Sequence, residues 1–201
     1  MRPQLSKIEI ARRQLGTALA MHIAEQDPVS VHVLACGGCE IAEQLAMNAQ
    51  RTPFRAFVFD SHPEMDERQH KTIRNKFWNV FKHARTVGGQ LRDDDALLEH
   101  FTMAENDVRL FSGWFDYAQA AGAMPIEAQV FNTWFLALDL AKFADDFDQD
   151  FIADLATEFP GLATMPYADQ RQQLRDAIGR WKGDRRLADS PLTDCRPLIL
   201  S

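Results

Sequence analysis

Apolar residues recur three and four positions apart along most of this chain, the spacing that places them on one side of an α-helix. Ser6-Lys7-Ile8-Glu9 has the spacing of a capping box, and Ile8, Ala11, Leu15, Ala18, Leu19 and Ile23 keep one apolar face behind it, so a first helix runs to about Glu25. Asp27-Pro28 opens a second, with Asp accepting backbone N–H groups and Pro in the first turn, where its missing donor does no harm. The interior of that helix, Leu34-Ala35-Cys36-Gly37-Gly38-Cys39-Glu40-Ile41-Ala42, is rich in small residues. Each Gly disfavours helix by roughly 1 kcal/mol against Ala. Either the small side chains serve a close helix crossing or the double Gly divides the helix in two.

Residues 51–60 form an apolar connector that fits a loop, a short helix or a brief strand. Ser61-His62-Pro63-Glu64 has capping-box spacing and is expected to open a helix that Gly88-Gly89 closes. Within it Ile73, Phe77, Phe81 and Ala84 share one face, while Thr72, Lys76, Asn79 and His83 form a second stripe. Asp93 to Asp95 place negative charge at the start of the next helix, where the macrodipole favours it, and Leu97, Phe101, Ala104, Val108, Phe111, Phe115 and Ala118 follow in regular spacing to Gly122. Pro125 starts another, with Ile126, Val130, Phe131, Trp134, Leu138 and Ala141 inward. Two shorter helices are expected near 149–158 and 167–182, separated by Phe159-Pro160-Gly161 and Met165-Pro166. The pattern predicts an all-α bundle of five to seven helices in one domain, with a core over about 6–144 and C-terminal helices and tail over about 145–201.

Composition supports one sizeable core: 46% of the 201 residues are hydrophobic and 25% charged. The net charge of −7 opposes general affinity for nucleic acid or anionic membrane and confines any basic patch to about residues 68–85. Cys36, Cys39 and Cys195 are an odd count without a disulfide framework, and the first residues lack an apolar signal segment, so a reducing cytoplasm is expected. No run of 18 apolar residues is present, and no membrane partner is expected.

The segment His70 to Arg85 concentrates the chemistry, with two histidines and five Lys or Arg residues on an aromatic-backed helix. His83 beside Lys82, with Asn79 one turn earlier, supplies a general acid or base with a cation to stabilise developing phosphate charge. Lys76, Arg74 and Arg85 are the matching nucleic-acid contacts. The competing reading is a solvated polar helix face.

His32, Cys36 and Glu40 fall at successive i, i+4 positions, with Cys39 close by and His22 across the helix pair. Structural zinc sites close with four ligands at recognised spacings, and a lone Cys-x-x-Cys pair is better read as small buried thiols. No metal and no cofactor is expected. Asp145, Asp146, Asp148 and Asp150 lack the Gly and the twelfth-position Glu of a calcium loop and read as N-capping and solvated acids.

The first helix, the Asp27-Pro28-Val29-Ser30 opening into a small-residue helix ending in Glu40, and a later helix carrying Arg74-Asn75 and Lys82-His83 resemble bacterial helical proteins distantly similar to the HEPN superfamily, over roughly residues 6–85. The resemblance implies a helical bundle, commonly dimeric, that binds or cleaves RNA through an Arg and a His separated by four to six residues. This chain departs from that spacing. Arg74 and His83 have eight residues between them, and nine steps of about 100° put them on opposite sides of a continuous helix. Arg55 and His62 have the spacing but straddle the start expected at Pro63. Two functions are therefore expected: an RNA-binding protein or atypical ribonuclease, or a non-enzymatic interaction protein that forms homo-oligomers through an apolar patch containing Trp114, Trp134 or Phe115.

Overall fold

The computed structural model describes residues 5–143 and 147–200. Among them the protein is all helical, with six helices of ten or more residues joined by shorter ones, and β structure is confined to two isolated bridges. The chain divides into two compact units, Met1–Ala120 and Ala121–Ser201.

The first unit contains α1 (Lys7–Ile23), α2 (Pro28–Asn48), α3 (Phe54–Ser61), α4 (Glu67–Arg74), α5 (Lys76–Lys82), α6 (Asp95–Leu98) and α7 (Glu105–Ala121). Ser6 caps α1 by accepting the Glu9 N–H, and Asp27 caps α2 through Val29 and Ser30, as their side chains predict. The intervening turn closes with Glu25 at φ 54°, and the Gln26 N–H reaches the Met21 carbonyl. So short a connection folds α1 and α2 back on each other.

Gly37-Gly38 does not interrupt α2, because Gly38 is where α1 comes closest. A Cβ added at Gly38 would stand 2.6 Å from Leu15 Cγ, and one added at Gly113 of α7 would stand 2.6 Å from Leu15 Cδ2 and 2.7 Å from Cys39 Sγ. The three helices thus meet around one leucine in two glycine-made gaps. Ala11, Leu15, Ala18, Ala35, Ala42, Leu110 and Trp114 are buried around this crossing. Polar bolts fix α7 at its other end. His22 Nε2 lies 2.7 Å from Asp107 Oδ1, His32 Nδ1 lies 2.9 Å from Asn106 Oδ1, and the Asn106 amide donates to the Pro28 carbonyl.

The segment 61–85 departs from the expected single helix. Ser61 ends α3 instead of opening a helix; the complete capping box belongs to Asp66 and Gln69, each side chain bonding the other's backbone N–H. The helix is then interrupted at Asn75, and His83 is extended, at φ −129° and ψ 111°. Gly88-Gly89 therefore does not close a helix but turns a loop whose arms meet at an Arg85–Leu91 bridge. Phe77 is buried and Phe81 half-buried, packed edge-on with Phe101 against His32, whereas Ile73 is 61% exposed and Ala84 is exposed. The expected helix from Leu97 to Ala118 is likewise two pieces, α6 and α7, since Phe101 turns out of line to join that aromatic cluster.

The second unit contains α8 (Ile126–Ala137), α9 (Leu140–Phe143), α10 (Gln149–Glu158), a 3-10 turn at Leu162–Thr164, α11 (Tyr167–Lys182) and α12 (Arg185–Ala188). Val130, Phe131, Trp134, Leu155, Phe159, Leu174 and Ala177 are its buried residues. The Trp134 indole donates to the Gln170 carbonyl at 2.9 Å, joining α8 to α11, and the tail is tied back where the Asp194 N–H donates to the Met124 carbonyl at 2.8 Å. Of the four acids considered for calcium, Asp148 caps α10 and Asp150 lies in its first turn; Asp145 and Asp146 lie outside the described residues.

Candidate functional site

A cleft of about 310 Å³ opens in the first unit between α2, α3, α4 and α7. Its ionic floor is built from Glu43, which is buried on α2. Glu43 Oε2 accepts a 2.6 Å bond from Arg74 Nη1, and Arg55 Nε lies 3.2 Å from its other oxygen. A carboxylate removed from water needs such cations, and two guanidiniums from two further helices supply them. The consequence is mechanical, because the ion triad ties α2, α3 and α4 together.

Asp116 on α7 completes the floor. Pro53 precedes α3 and offers it no capping side chain, so the first N–H of the helix, that of Phe54, donates instead to Asp116 Oδ1 at 2.7 Å. Burial pushes the Asp116 carboxyl up to about 7, against the lowering influence of the Phe54 bond and with Glu43 pushing in the same direction as burial. The His70 ring packs edge-on against Phe59 at 5.2 Å between centroids, and burial, followed by the nearby Arg74 charge, holds its pKa below the usual histidine range. His70 is therefore a neutral donor and acceptor near pH 7. Phe54, Val58, Met65, Ile73 and Val108 form the apolar walls.

Arg109 also lines the cleft, half-buried on α7. Its carbonyl accepts from the Cys39 thiol at 3.0 Å, while its guanidinium has no ion-pair partner among the described residues. Burial pushes the Cys36 thiol up to about 11 and the Cys39 thiol up to about 12, so both are protonated hydrophobes. His22 and His32 are turned toward Asp107 and Asn106, and no group of three or more His, Cys, Asp or Glu side chains able to hold a metal occurs among the described residues.

The residues expected from sequence divide into two groups. Arg74 and Lys76 line the cleft, Arg74 consumed by Glu43 and Lys76 with its ammonium 4.7 Å above the Phe77 ring. Asn79, Lys82, His83 and Arg85 are not among the cleft-lining residues. Lys82 sits exposed with its ammonium 4.5 Å above the Trp78 ring, Asn79 is half-buried, His83 is exposed, and Arg85 donates to the Gly89 carbonyl at 2.7 Å. The stripe from Thr72 to His83 is thus broken twice, at Asn75 and again where His83 leaves the helix. Arg55 enters the floor, while His62 stands apart beside Glu64 at 3.5 Å. Glu43, His70, Arg109 and Asp116 were not legible as site residues. The available signals were His70 and Arg74 one turn apart on α4, and Arg109, Ser112 and Asp116 recurring along one face of α7.

Of the expected apolar patch, Trp114 and Trp134 are fully buried and so cannot contact a partner. Phe115 is half-buried beneath exposed Phe57, their rings 5.5 Å apart. No helix among the described residues is long and apolar enough to cross a membrane. Compared with protein-family models, with curated proteins and with solved structures, the chain finds no match to any of the three.

Proposed function

We propose that this chain is a HEPN-like RNA-binding protein that engages the phosphate backbone through α4, α5 and the turn that follows. One observation carries the reading: from Arg68 to Arg92 the sequence holds seven Lys or Arg residues and no Asp or Glu, in a chain of net charge −7. Arg68, Lys71, Lys76, Lys82 and Arg85 among them are exposed. A local cationic field within an acidic protein favours a polyanion at one face and repels it elsewhere, which is the electrostatic footprint of an oriented nucleic-acid contact. The Lys76 and Lys82 ammonium groups lie over aromatic rings, which fixes where these two exposed charges sit without neutralising them.

Fluorescence anisotropy with a single-stranded RNA tests the reading. Each phosphate contact on a single strand contributes about −0.7 to the slope of log affinity against log salt. Replacing Lys71, Lys82 and Arg85 by Ala is expected to reduce that slope by about 2 and to leave the far-ultraviolet spectrum unchanged. No binding by the wild type at low salt refutes it. Ribonuclease activity belongs to the same reading, with His83 as proton donor or acceptor beside Lys82 and Asn79; cleavage that survives unchanged in His83→Ala removes His83 from that role.

A second reading, a non-enzymatic protein that pairs with a second copy, is favoured by the exposed Phe57 over Phe115. Sedimentation of the wild type and Phe57→Lys tests it, a monomer in both cases being the refuting result.

A further inference from the structure

The cleft contains one cation that the fold itself does not use. Arg74 is paired with Glu43, Arg55 with Glu43 and, at 3.9 Å, with Glu67, and Lys76 stands at the rim over Phe77. Arg109 differs from all three: it is half-buried, it lines the cleft, and no carboxylate among the described residues reaches it within ion-pair distance, although Glu105 lies one helical turn before it on the same wall. Its charge is felt by the buried groups around it, adding to the lowering that burial imposes on His32 and His70 and opposing the rise that burial imposes on the Cys36 and Cys39 thiols. A guanidinium held partly out of water without a partner awaits an anion, since its five donors match a phosphate or carboxylate in a planar fork.

The other requirement of a ligand is apolar. Phe54, Val58, Ile73 and Val108 wall the cleft, and its volume of about 310 Å³ is at the lower end of pockets that enclose small organic molecules. His70, held below the usual histidine pKa by burial, adds a donor and acceptor from α4. The acids that face the cleft are Glu43, Glu105 and Asp116; the first is paired with two arginines, and the last accepts the Phe54 N–H. The arrangement fits a small molecule that joins an anionic group to a weakly polar body.

We infer that the cleft binds a single nucleotide unit, its phosphate on Arg109 and Lys76 and its base between Ile73 and Val108 with His70 at the base edge. The unit comes either from free mononucleotide or from a strand lying along the basic run of α4 and α5, and only the second source rests on the RNA reading. Arg74 and Lys76 mark the place where that run and the cleft share residues.

Calorimetric titration of the full chain with adenosine 5′-monophosphate, adenosine and inorganic phosphate, alongside anisotropy with single-stranded RNA, separates the possibilities. The variants are Arg109→Gln, which removes the unpaired charge, and Ile73→Trp, which fills the mouth from an exposed rim position without changing charge. The mononucleotide is expected to bind at least tenfold more tightly than adenosine or phosphate, Arg109→Gln to weaken it about tenfold or more, as loss of one charge-assisted contact implies, and Ile73→Trp to weaken it by a similar factor by occupying the mouth. Circular dichroism and melting temperature should be unchanged in Arg109→Gln, whose guanidinium supports no fold contact. Mononucleotide binding without RNA binding supports the cleft and removes the RNA reading. RNA affinity that falls in both variants supports the cleft as a strand-nucleotide site. RNA binding that is equal in wild type, Arg109→Gln and Ile73→Trp, with no mononucleotide binding, overturns the cleft assignment while leaving the RNA reading intact. Binding of neither probe overturns both.

Discussion

Replacing Asp116 by Asn should stabilise the protein increasingly as pH rises from about 4 to about 7 and make little difference below about pH 4. The Asp116 carboxylate is buried on α7, accepts the Phe54 N–H at 2.7 Å, and titrates at about 7 instead of the ordinary 3.8. A folded-state pKa above the unfolded one means that the native protein binds the proton more tightly. That contribution to stability is fully present below about pH 4 and is lost as pH rises through 7. A tenfold difference in proton affinity between the folded and unfolded states corresponds to about 1.4 kcal/mol, so the ionised carboxylate at pH 8 weighs against the native state by a few kcal/mol, at most about 4. Asn keeps the size of the side chain and an oxygen to accept the Phe54 N–H, so α3 retains its cap while the buried charge disappears.

His32 titrates in the same range with the opposite sign. Burial lowers its pKa to about 4 from 6.5, so its contribution is present above pH 6.5 and is lost as pH falls toward 4. A stability profile of the wild type alone therefore mixes two opposed slopes. The difference between wild type and Asp116→Asn cancels the His32 part, since the variant leaves that pocket untouched. Urea unfolding of both proteins from pH 5 to pH 8.5 is the assay, with equal m values as the condition for two-state comparison. The expected difference grows by about 2–3 kcal/mol in favour of Asn between pH 5 and pH 7 and levels off above that, since the slope of about 1.4 kcal/mol per pH unit runs only between the unfolded and folded pKa values. A difference independent of pH, or a variant less stable at pH 8, overturns this account, because it would mean that the charge of Asp116 is needed by its arginine neighbours more than burial opposes it.

Two further outcomes follow from the packing. Gly38→Ala and Gly113→Ala each push a Cβ to within 2.6 Å of the Leu15 side chain, and each should lower stability by about 1–3 kcal/mol in denaturant titration, with partial rescue when combined with Leu15→Ala. A neutral effect in both glycine variants would dispose of the close crossing. Titration with a thiol reagent at pH 8 should modify one cysteine of the native protein, the exposed Cys195, and all three after unfolding; rapid modification of Cys36 or Cys39 in the native state would contradict the raised thiol pKa values that burial produces.

The all-α architecture was legible because helix formation is a local matter of spacing and punctuation. Ser6, Asp27, Asp148, Pro125 and Gly122 mark ends that the structure reproduces, since a cap or a breaker acts on residues within one turn of itself. The small residues of α2 even announced a close crossing, because nothing local repays a double Gly inside a helix. Local spacing misled at Ser61-His62-Pro63-Glu64, where Ser61 ends α3 and the box that closes is that of Asp66 with Gln69. Tertiary packing also decided the interruption at Asn75 and the outward turn of Phe101, both of which serve an aromatic cluster around His32 assembled from three separate segments. The cleft belongs wholly to this second kind of information. Glu43, Arg55, Arg74, Arg109 and Asp116 come from four helices, and only Arg109 and Asp116 share a helix face, so a carboxylate's partners across the fold are set by which helix faces meet rather than by where the residues fall in the chain. Local residue order was enough for the principal helices and the basic run from Arg68 to Arg92, whereas the meeting of α2, α3, α4 and α7 settled which cleft cations are paired with carboxylates and which one has no ion-pair partner among the described residues.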